Sequence, residues 1–470
     1  MSDRQLQTDK VYSGVVTSLG NDAQQAVGTL TFKEDQGLLL EVPYAFSTAH
    51  DRVQFRAAAD WFEHREMPEA VLFRGEDINV TLYGCQFASR SRVYGRGVAV
   101  GRMVADYAVL FNRSLSKPFE VQTVRSQMDG LRTWTDYSGA LVEHELDDNN
   151  LVQSMSITVR GTTDLTWSHR GATMALGTYW EGRDGDNGPG VQEWVTVSST
   201  FEDGALPDRH IAAQEVLRDL LILSFGTPIR FRRHAASDPA MPSDVQRTQV
   251  TVPPFRDLIV RETEDEFFLP VVPTARQPIL WARDISAESL EAWSLLRAEW
   301  SRAIDPLILL LNRDIFAVED IILQSNISLE AAGHLLSPVE GEEATCRGKA
   351  PTTATRVMRA LRELTVPWGL LRAPEIGVAR LIANTYNSIK HFDRTTLADK
   401  DHLRLVANVS QLSARLVVLA QLPDSAGFIE RFCARDIARV VDQFQASGVL
   451  ITEAGTLVPR PLVLRDGDRR

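Results

Sequence analysis

The chain is 470 residues long, 44% hydrophobic and 24% charged, a balance that fits a globular protein and excludes a disordered or fibrous one. Its longest apolar runs, such as PLILLLN at Pro306–Asn312, fall well short of the roughly 18 residues that a membrane span needs, so no membrane partner is expected. A formal net charge of −12 argues against a general nucleic-acid coat protein, which relies on clustered Lys and Arg.

The length predicts two or three domains. MSDRQLQTDKVYSG at the start lacks the apolar core of a signal peptide. The three cysteines, Cys85, Cys346 and Cys433, are too scattered for a metal knuckle and odd in number for a disulfide framework. A cytoplasmic location is expected.

From Val11 to about Leu110, short runs such as VGTLTF, GLLLEV and INVTLYGC alternate with Gly, Asn and Asp and predict a β-rich domain, 1–110, of sandwich or barrel-like character. Within INVTLYGC, Ile78, Val80 and Leu82 alternate with Asn79, Thr81 and Tyr83, the period of a strand with one buried face. A second β-rich domain, 111–275, is predicted from FEVQTV, SMSITVRG and EWVTVSST, with Trp134, Trp167, Trp180 and Trp194 assigned to its core. It carries one helix from Asp208, with Ile211, Val216, Leu220 and Leu223 on its apolar stripe, ending at Gly226 ahead of Pro228.

After a proline-punctuated linker from Pro270 to Pro278, the pattern becomes helical over 276–470. Ser286 caps a stripe running through Leu290, Trp293, Leu296, Trp300 and Ile304. Further helices are predicted at about 313–337, 352–371, 375–392, 401–421 and 428–446. The fold class is therefore α+β multidomain: a β-rich N-terminal half followed by an α-helical bundle.

Several motif-like stretches fail on their chemistry. The loop Glu181–Gly190 offers Asp184, Asp186 and Asn187, but Val195 stands where a calcium loop needs a bidentate Glu, so it reads as a turn. In GEEATCRGKA, Gly341–Ala350, six residues separate the glycines and Ala350 replaces the Ser or Thr that would hold magnesium. YGRGVAVG, Tyr94–Gly101, has no helix after it to make a dinucleotide site. The nine histidines show no HxxxH or HExxH spacing, and no GxSxG elbow occurs. No metal or cofactor is expected.

Between Thr345 and Ala420, twelve Lys and Arg face five acids, which makes the segment +7 and the remainder −19. Inside it lies NTYNSIKHFDR, Asn384–Arg394. On a helix, Asn384, Asn387 and His391 share one face by i, i+3, i+7 spacing, while Ile382, Tyr386 and Ile389 face the bundle. Amides and an imidazole beside Lys390 and Arg394 can hold a phosphate and move a proton. The alternative is a solvated helix end whose basic residues complement the helix dipole.

Two regions carry family resemblances. YNSIKH, Tyr386–His391, resembles the Arg–polar–His motif of HEPN domains, with Asn387 in the polar position, and NISLEAAGHLL, Asn326–Leu336, resembles their acidic helix, with Glu330 as the acid. YSGVVTSLGNDAQQAVGTLTFKEDQGLLLEVPYAF, with INVTLYGC and QTVRSQMDGLRTWTD, resembles the ApeA N-terminal region. Together they imply an ApeA-like anti-phage defence protein of the abortive-infection type with a C-terminal HEPN domain. That implies metal-independent RNA cleavage by His391, Asn387 and Lys390, with Asn384, Arg394 and Arg380 binding RNA. The implied partners are RNA, tRNA among the candidates, a phage component as trigger, and a second copy in a homodimer or larger homo-oligomer. Tyr386 stands where the shortest form of the motif has Arg, and no Arg is separated from His391 by four to six residues, Thr385 and Asn384 holding the longer-spaced positions. Arg380 lies on nearly the same helix face, but about 16 Å away along the axis. This departure keeps open a catalytically degenerate module that serves as an RNA-binding or dimerisation platform beside a phage-sensing β-rich half.

Overall fold

The computed structural model describes residues 6–7, 9–19, 25–33, 37–46, 56–93, 97–111, 119–160, 163–185, 188–241, 255–261, 277–364, 368, 374–391, 399–432, 435–436 and 438–460. The chain divides into two compact units. One comprises Met1–Arg132, Tyr137–Glu215 and Arg230–Pro273; the other comprises Thr133–Asp136, Val216–Ile229 and Thr274–Arg470.

Strands dominate the first unit: β1 Val11–Ser18, β2 Gln25–Lys33, β3 Gly37–Ala45, β4 Ala70–Gly75, β5 Asn79–Tyr83, β6 Gln86–Val93, β7 Val98–Val104, β8 Tyr107–Leu110 and β9 Val121–Met128. They continue as β10 Ala140–Leu146, β11 Val152–Val159, β12 Thr163–His169, β13 Ala172–Gly185, β14 Gly188–Ala205, β15 Phe231–Ser237 and β16 Arg256–Val260. Among the described residues, all of these except β10 and β11 join one 14-stranded antiparallel sheet, ordered β12-β13-β14-β9-β15-β16-β8-β5-β4-β1-β2-β3-β7-β6. Residues before and after 111 meet where β16 pairs with β8, Leu258 opposite Val109. Val16, Leu30, Leu40, Phe73, Val80, Met103, Leu110 and Ile259 share one buried cluster although they sit on eight different strands, so the sheet curls around that core. Trp61 and Phe62, from the short helical segment after β3, enter the same cluster.

Two readings of the sequence change here. Strand β5 is buried on both faces rather than one: Thr81 and Tyr83 are as inaccessible as Val80 and Leu82. The strand lies between β4 and β8, and Tyr83 stacks on Phe119 with ring centroids 3.8 Å apart. Of the four tryptophans assigned to the core, Trp134 and Trp167 are buried, but Trp180 is 45% exposed and Trp194 is half-buried, stacked on Tyr179.

Strands β10 and β11 form a separate two-stranded hairpin. Its register puts Val142 opposite Ile157, His144 opposite Met155 and Leu146 opposite Val152, so one face is apolar, while Glu143, Glu145, Ser154 and Ser156 lie on the other. Val142, Leu146, Val152, Met155 and Ile157 are all exposed. At the base, the Arg160 N–H donates to the Gly139 carbonyl at 3.0 Å.

The long helix α1, Pro207–Phe225, ends as predicted at Gly226, whose φ of +69° suits a residue without Cβ. Its residues up to Glu215 belong to the first unit and those from Val216 to the second. Where the β14–β9 register breaks between Thr200 and Ala205, the helix supplies polar side chains to the sheet. His210 Nε2 lies 2.9 Å from the Val121 carbonyl oxygen and Nδ1 lies 2.9 Å from Ser199 Oγ, while Gln214 Nε2 donates to the Val124 carbonyl at 3.0 Å.

The second unit is helical: α2 Ala287–Glu299, α3 Ser301–Leu311, α4 Val318–Leu335, α5 Thr353–Glu363, α6 Glu375–Lys390, α7 Lys400–Leu419, α8 Ser425–Phe432 and α9 Ala438–Ala446. A small hairpin, β17 Val449–Ile451 and β18 Leu457–Pro459, follows. Ser286 caps α2 by accepting from the Ser289 N–H, and Thr352 with Thr355 makes a reciprocal cap on α5. The stripe read as one helix through Ile304 is interrupted at the buried Trp300, whose φ of −96° and ψ of 21° end α2 and begin α3. The helix read over 352–371 stops at Glu363, because Pro367 has no N–H to return to the Glu363 carbonyl. The pattern at 428–446 divides into α8 and α9. The Pro270–Pro278 linker lies outside the described residues except for Gln277 and Pro278.

Burial holds the His210 imidazole below its ordinary range, so the folded state keeps it neutral while the unfolded chain protonates it near pH ~6.5. Stability from this group is complete above that pH and is lost as the pH falls toward the depressed folded value. The drop in melting temperature between about pH 7.5 and pH 5.5 is therefore expected to be smaller in His210→Gln than in the wild-type chain, and equal drops would refute the linkage.

Candidate functional site

Helix α6 is built for partial burial. Val378, Leu381, Ile382 and Tyr386 recur at helical spacing and are buried, with Tyr386 clustered with Ile322 of α4 and with Leu403 and Ala407 of α7. Ile389 packs against the same cluster. What α6 leaves to solvent is a polar strip on which Asn384, Asn387 and Lys390 are exposed.

His391 closes the helix. It leaves helical geometry at φ −120° and ψ 62°, its N–H donates to the Asn387 carbonyl at 2.9 Å, and its side chain is half-buried. Lys390 Nζ sits 5.5 Å from the centroid of the Tyr386 ring. Asn387, Lys390 and His391 therefore cluster at the C-terminal end of α6, where the backbone carbonyls also favour a cation.

Asn384 and Arg380 are employed elsewhere. Arg380 donates through Nη1 to the Glu453 carbonyl at 3.0 Å and through Nη2 to the Ala344 carbonyl at 2.6 Å. Asn384 Nδ2 lies 3.3 Å from the carbonyl oxygens of Ala454 and Gly455. Both hold the turn between β17 and β18. The turn approaches the helix so closely that a Cβ on Gly377 would run into the Thr452 carbonyl oxygen, and one on Gly455 would lie 2.5 Å from the Leu381 nitrogen. Arg394 lies outside the described residues.

Glu330, the acid read on α4, pairs with Arg356 of α5 at 2.5 Å. It stands eight residues beyond Ile322, the α4 residue that meets Tyr386, or about 12 Å along the helix. No hydrogen bond joins it to His391 among the described residues.

Half of the cations of the basic segment are engaged within the fold. Arg359 grips Glu342 with two hydrogen bonds, at 2.7 and 2.6 Å, which hold the Glu342 carboxyl below its usual range. Arg362 pairs with Glu375, Arg404 with Asp401, and the buried Arg415 donates to the Leu223 and Ser224 carbonyls at the end of α1. With Arg356 and Arg380, six of the twelve cations are engaged. Glu330 and Glu342 precede Thr345 in the chain, so acids from outside the +7 segment offset part of its charge in the fold. Arg347 and Lys349 remain exposed on the loop before α5.

Among the described residues, no group of three or more His, Cys, Asp or Glu is placed to hold a metal ion. Among them too, no helix is long and apolar enough to cross a membrane. The family model of ApeA N-terminal domain 1 matches residues 11–250, just over half of the chain. The chain belongs to this family. The ApeA resemblance read in YSGVVTS and INVTLYGC is thereby borne out. The ApeA-type match takes in β1 to β15 and stops short of the helices from α2 onward. No curated protein and no solved structure matches the chain.

Gly455 has a φ of +75°, so Gly455→Ala adds left-handed strain to the clash with the α6 backbone. This substitution is expected to lower stability by about 2 kcal/mol or more in a denaturant melt of the full chain. An unchanged midpoint would contradict the close approach.

Proposed function

We propose that this ApeA-family chain is an anti-phage defence protein of the abortive-infection type whose helical region, 276–470, acts as a HEPN-like module that cleaves RNA without a metal. The observation supporting this most directly is the cluster at the end of α6: a half-buried, solvent-reachable imidazole at His391 with exposed Asn387 and Lys390 beside it. An imidazole can both accept and return a proton, which suits general acid–base work. His391 takes the proton of a ribose 2′-hydroxyl, the 2′-oxygen bonds to the adjoining phosphorus as the bond to the 5′-oxygen breaks, and the imidazolium returns a proton to that leaving oxygen. Asn387 orients the phosphate or the ring, and Lys390 faces the developing negative charge, with Arg394 three residues beyond His391 in the chain. RNA, tRNA included, is the substrate in this reading. The β-rich half perceives a phage component, and a second copy completes a homodimer in the cytoplasm.

A second reading, a non-catalytic HEPN-like platform for RNA binding or dimerisation, is favoured by a different observation. Tyr386 replaces the motif arginine and is buried, Arg380 donates to the Glu453 carbonyl of the hairpin turn and to the Ala344 carbonyl, and Asn384 donates to the turn. Neither can replace the arginine without releasing that turn.

Purified protein assayed on tRNA and phage RNA with metal chelated separates the two readings. Cleavage is expected to fall by about a hundredfold or more in His391→Ala, and by about a hundredfold in Lys390→Ala, with loss of phage protection in parallel. Absence of RNA products from the wild-type chain, with protection intact in His391→Ala, supports the platform instead.

A further inference from the structure

The outer face of the first unit's sheet carries a positive charge that the fold leaves unbalanced. Alternation along β9 sends Val124 and Ser126 to the buried face and brings the half-buried Arg125 and Gln127 out on the other. The register sets Ser198 of β14 and Ala235 of β15 opposite Arg125, Arg233 opposite Gln127, and Tyr179 of β13 opposite Trp194. Farther along this face, Thr166, Ser168 and Thr173 are exposed.

Arg125 is held between two rings, its guanidinium carbon 3.5 Å from the centroid of Tyr179 and 3.9 Å from that of Phe255. The charges acting on it are Arg233 and Asp257, and Asp257 is already gripped by Arg233, at 2.8 Å through Nε and 2.6 Å through Nη2. Two guanidinium groups thus share one carboxylate, and Arg125 makes no ion pair of its own among the described residues. Burial, joined by the like charge of Arg233, holds the Arg125 guanidinium below its ordinary range. An anion placed here offsets both effects.

Arg125, Gln127, Thr196 and Arg233 line a recess of only about 10 Å³. It admits one water-sized group, whereas a metabolite site takes roughly 300 Å³ or more, so the anion has to arrive as the tip of a longer chain lying on the sheet. A carboxylate side chain of a protein and a phosphate of a single-stranded nucleic acid both meet that description. Nucleic acid holds to such faces by stacking its bases on free rings. Here Tyr179 is stacked on Trp194 at 5.7 Å and lies against Arg125, and Trp194 has the Arg233 guanidinium 5.7 Å from its own centroid. The net charge of −12 also opposes a long polyanion. Tyr, Trp and Arg together are the residues enriched at the centres of protein interfaces.

We propose that this face docks an extended acidic segment of a partner protein, with one Asp or Glu carboxylate taken between Arg125 and Arg233. This inference is independent of RNA cleavage at His391, because every residue it uses belongs to the first unit.

The experiment is isothermal titration of the full-length protein with a blocked hexapeptide alternating Glu and Thr, whose strand period puts its carboxylates on one side. The same peptide with Gln for Glu, and a uridylate hexamer, are titrated alongside. The Glu peptide is expected to bind saturably and the Gln peptide about tenfold more weakly or worse, the loss typical of a charged hydrogen bond. Gln127→Glu is close to isosteric and supplies a carboxylate beside both guanidinium groups from within, so it is expected to weaken binding by a similar factor without lowering the melting temperature. Arg125→Gln is expected to abolish binding, and should that variant fail to fold, Gln127→Glu decides. His391→Ala is expected to bind as the wild type does. Absence of saturable binding by the Glu peptide, equal binding of the two peptides, or undiminished affinity in Gln127→Glu each overturns the proposal. Tighter binding of the uridylate hexamer than of the Glu peptide, lost in Gln127→Glu, overturns it in favour of a nucleic-acid site.

Discussion

The turn between β17 and β18 lies against the backbone of α6 with no room for a side chain at Gly377 or Gly455, and this approach sets what the helix can offer. One side of α6 is committed to the bundle through Val378, Ile382 and Tyr386, and a second is covered by residues 452–455. Among the described residues, the strip ending in Asn387, Lys390 and His391 is the side of α6 left uncovered. The polar side chains nearest the turn, Arg380 and Asn384, satisfy its carbonyls, so they are structural donors before they can be ligands of anything else.

The same economy governs the cationic segment. Within a fold, an arginine close to a carboxylate or a helix C-terminus is drawn to it, and a pair as enclosed as Arg359 with Glu342 is held by geometry as well as charge. Arg415 does the same for the end of α1 using backbone carbonyls in place of an acid. The cations that stay accessible are fewer than the sequence count, and they fall in separate places, among them the loop with Arg347 and Lys349 and the end of α6 with Lys390. Phosphate binding at any of them depends on local geometry more than on the net charge of the region.

Much of the fold was legible because period and punctuation are local properties. Helix α1 stops at Gly226, and α2 and α5 start at Ser286 and Thr352, because those caps satisfy backbone groups whatever the surroundings. The double burial of β5 was not legible, since Thr81 and Tyr83 are polar enough to read as an outer face until Phe119 is brought onto the latter. The half-exposure of Trp194 and the exposure of Trp180 arise in the same way, from which strands become neighbours. At the α6 end, the sharing of one exposed strip by Asn387 and Lys390 follows from helical spacing alone. The diversion of Arg380 and Asn384 to a turn some seventy residues later in the chain does not, because it is a long-range contact that no spacing rule encodes.

The β10–β11 hairpin stands outside the fourteen-strand ladder, and none of its residues enters the core. Its two ends are already bridged by the Arg160 N–H and the Gly139 carbonyl, so the sheet does not rely on anything between them. Residues 140–159 are thus a natural place to shorten the chain to a tight connection, or to splice in a reporter, without disturbing the ladder.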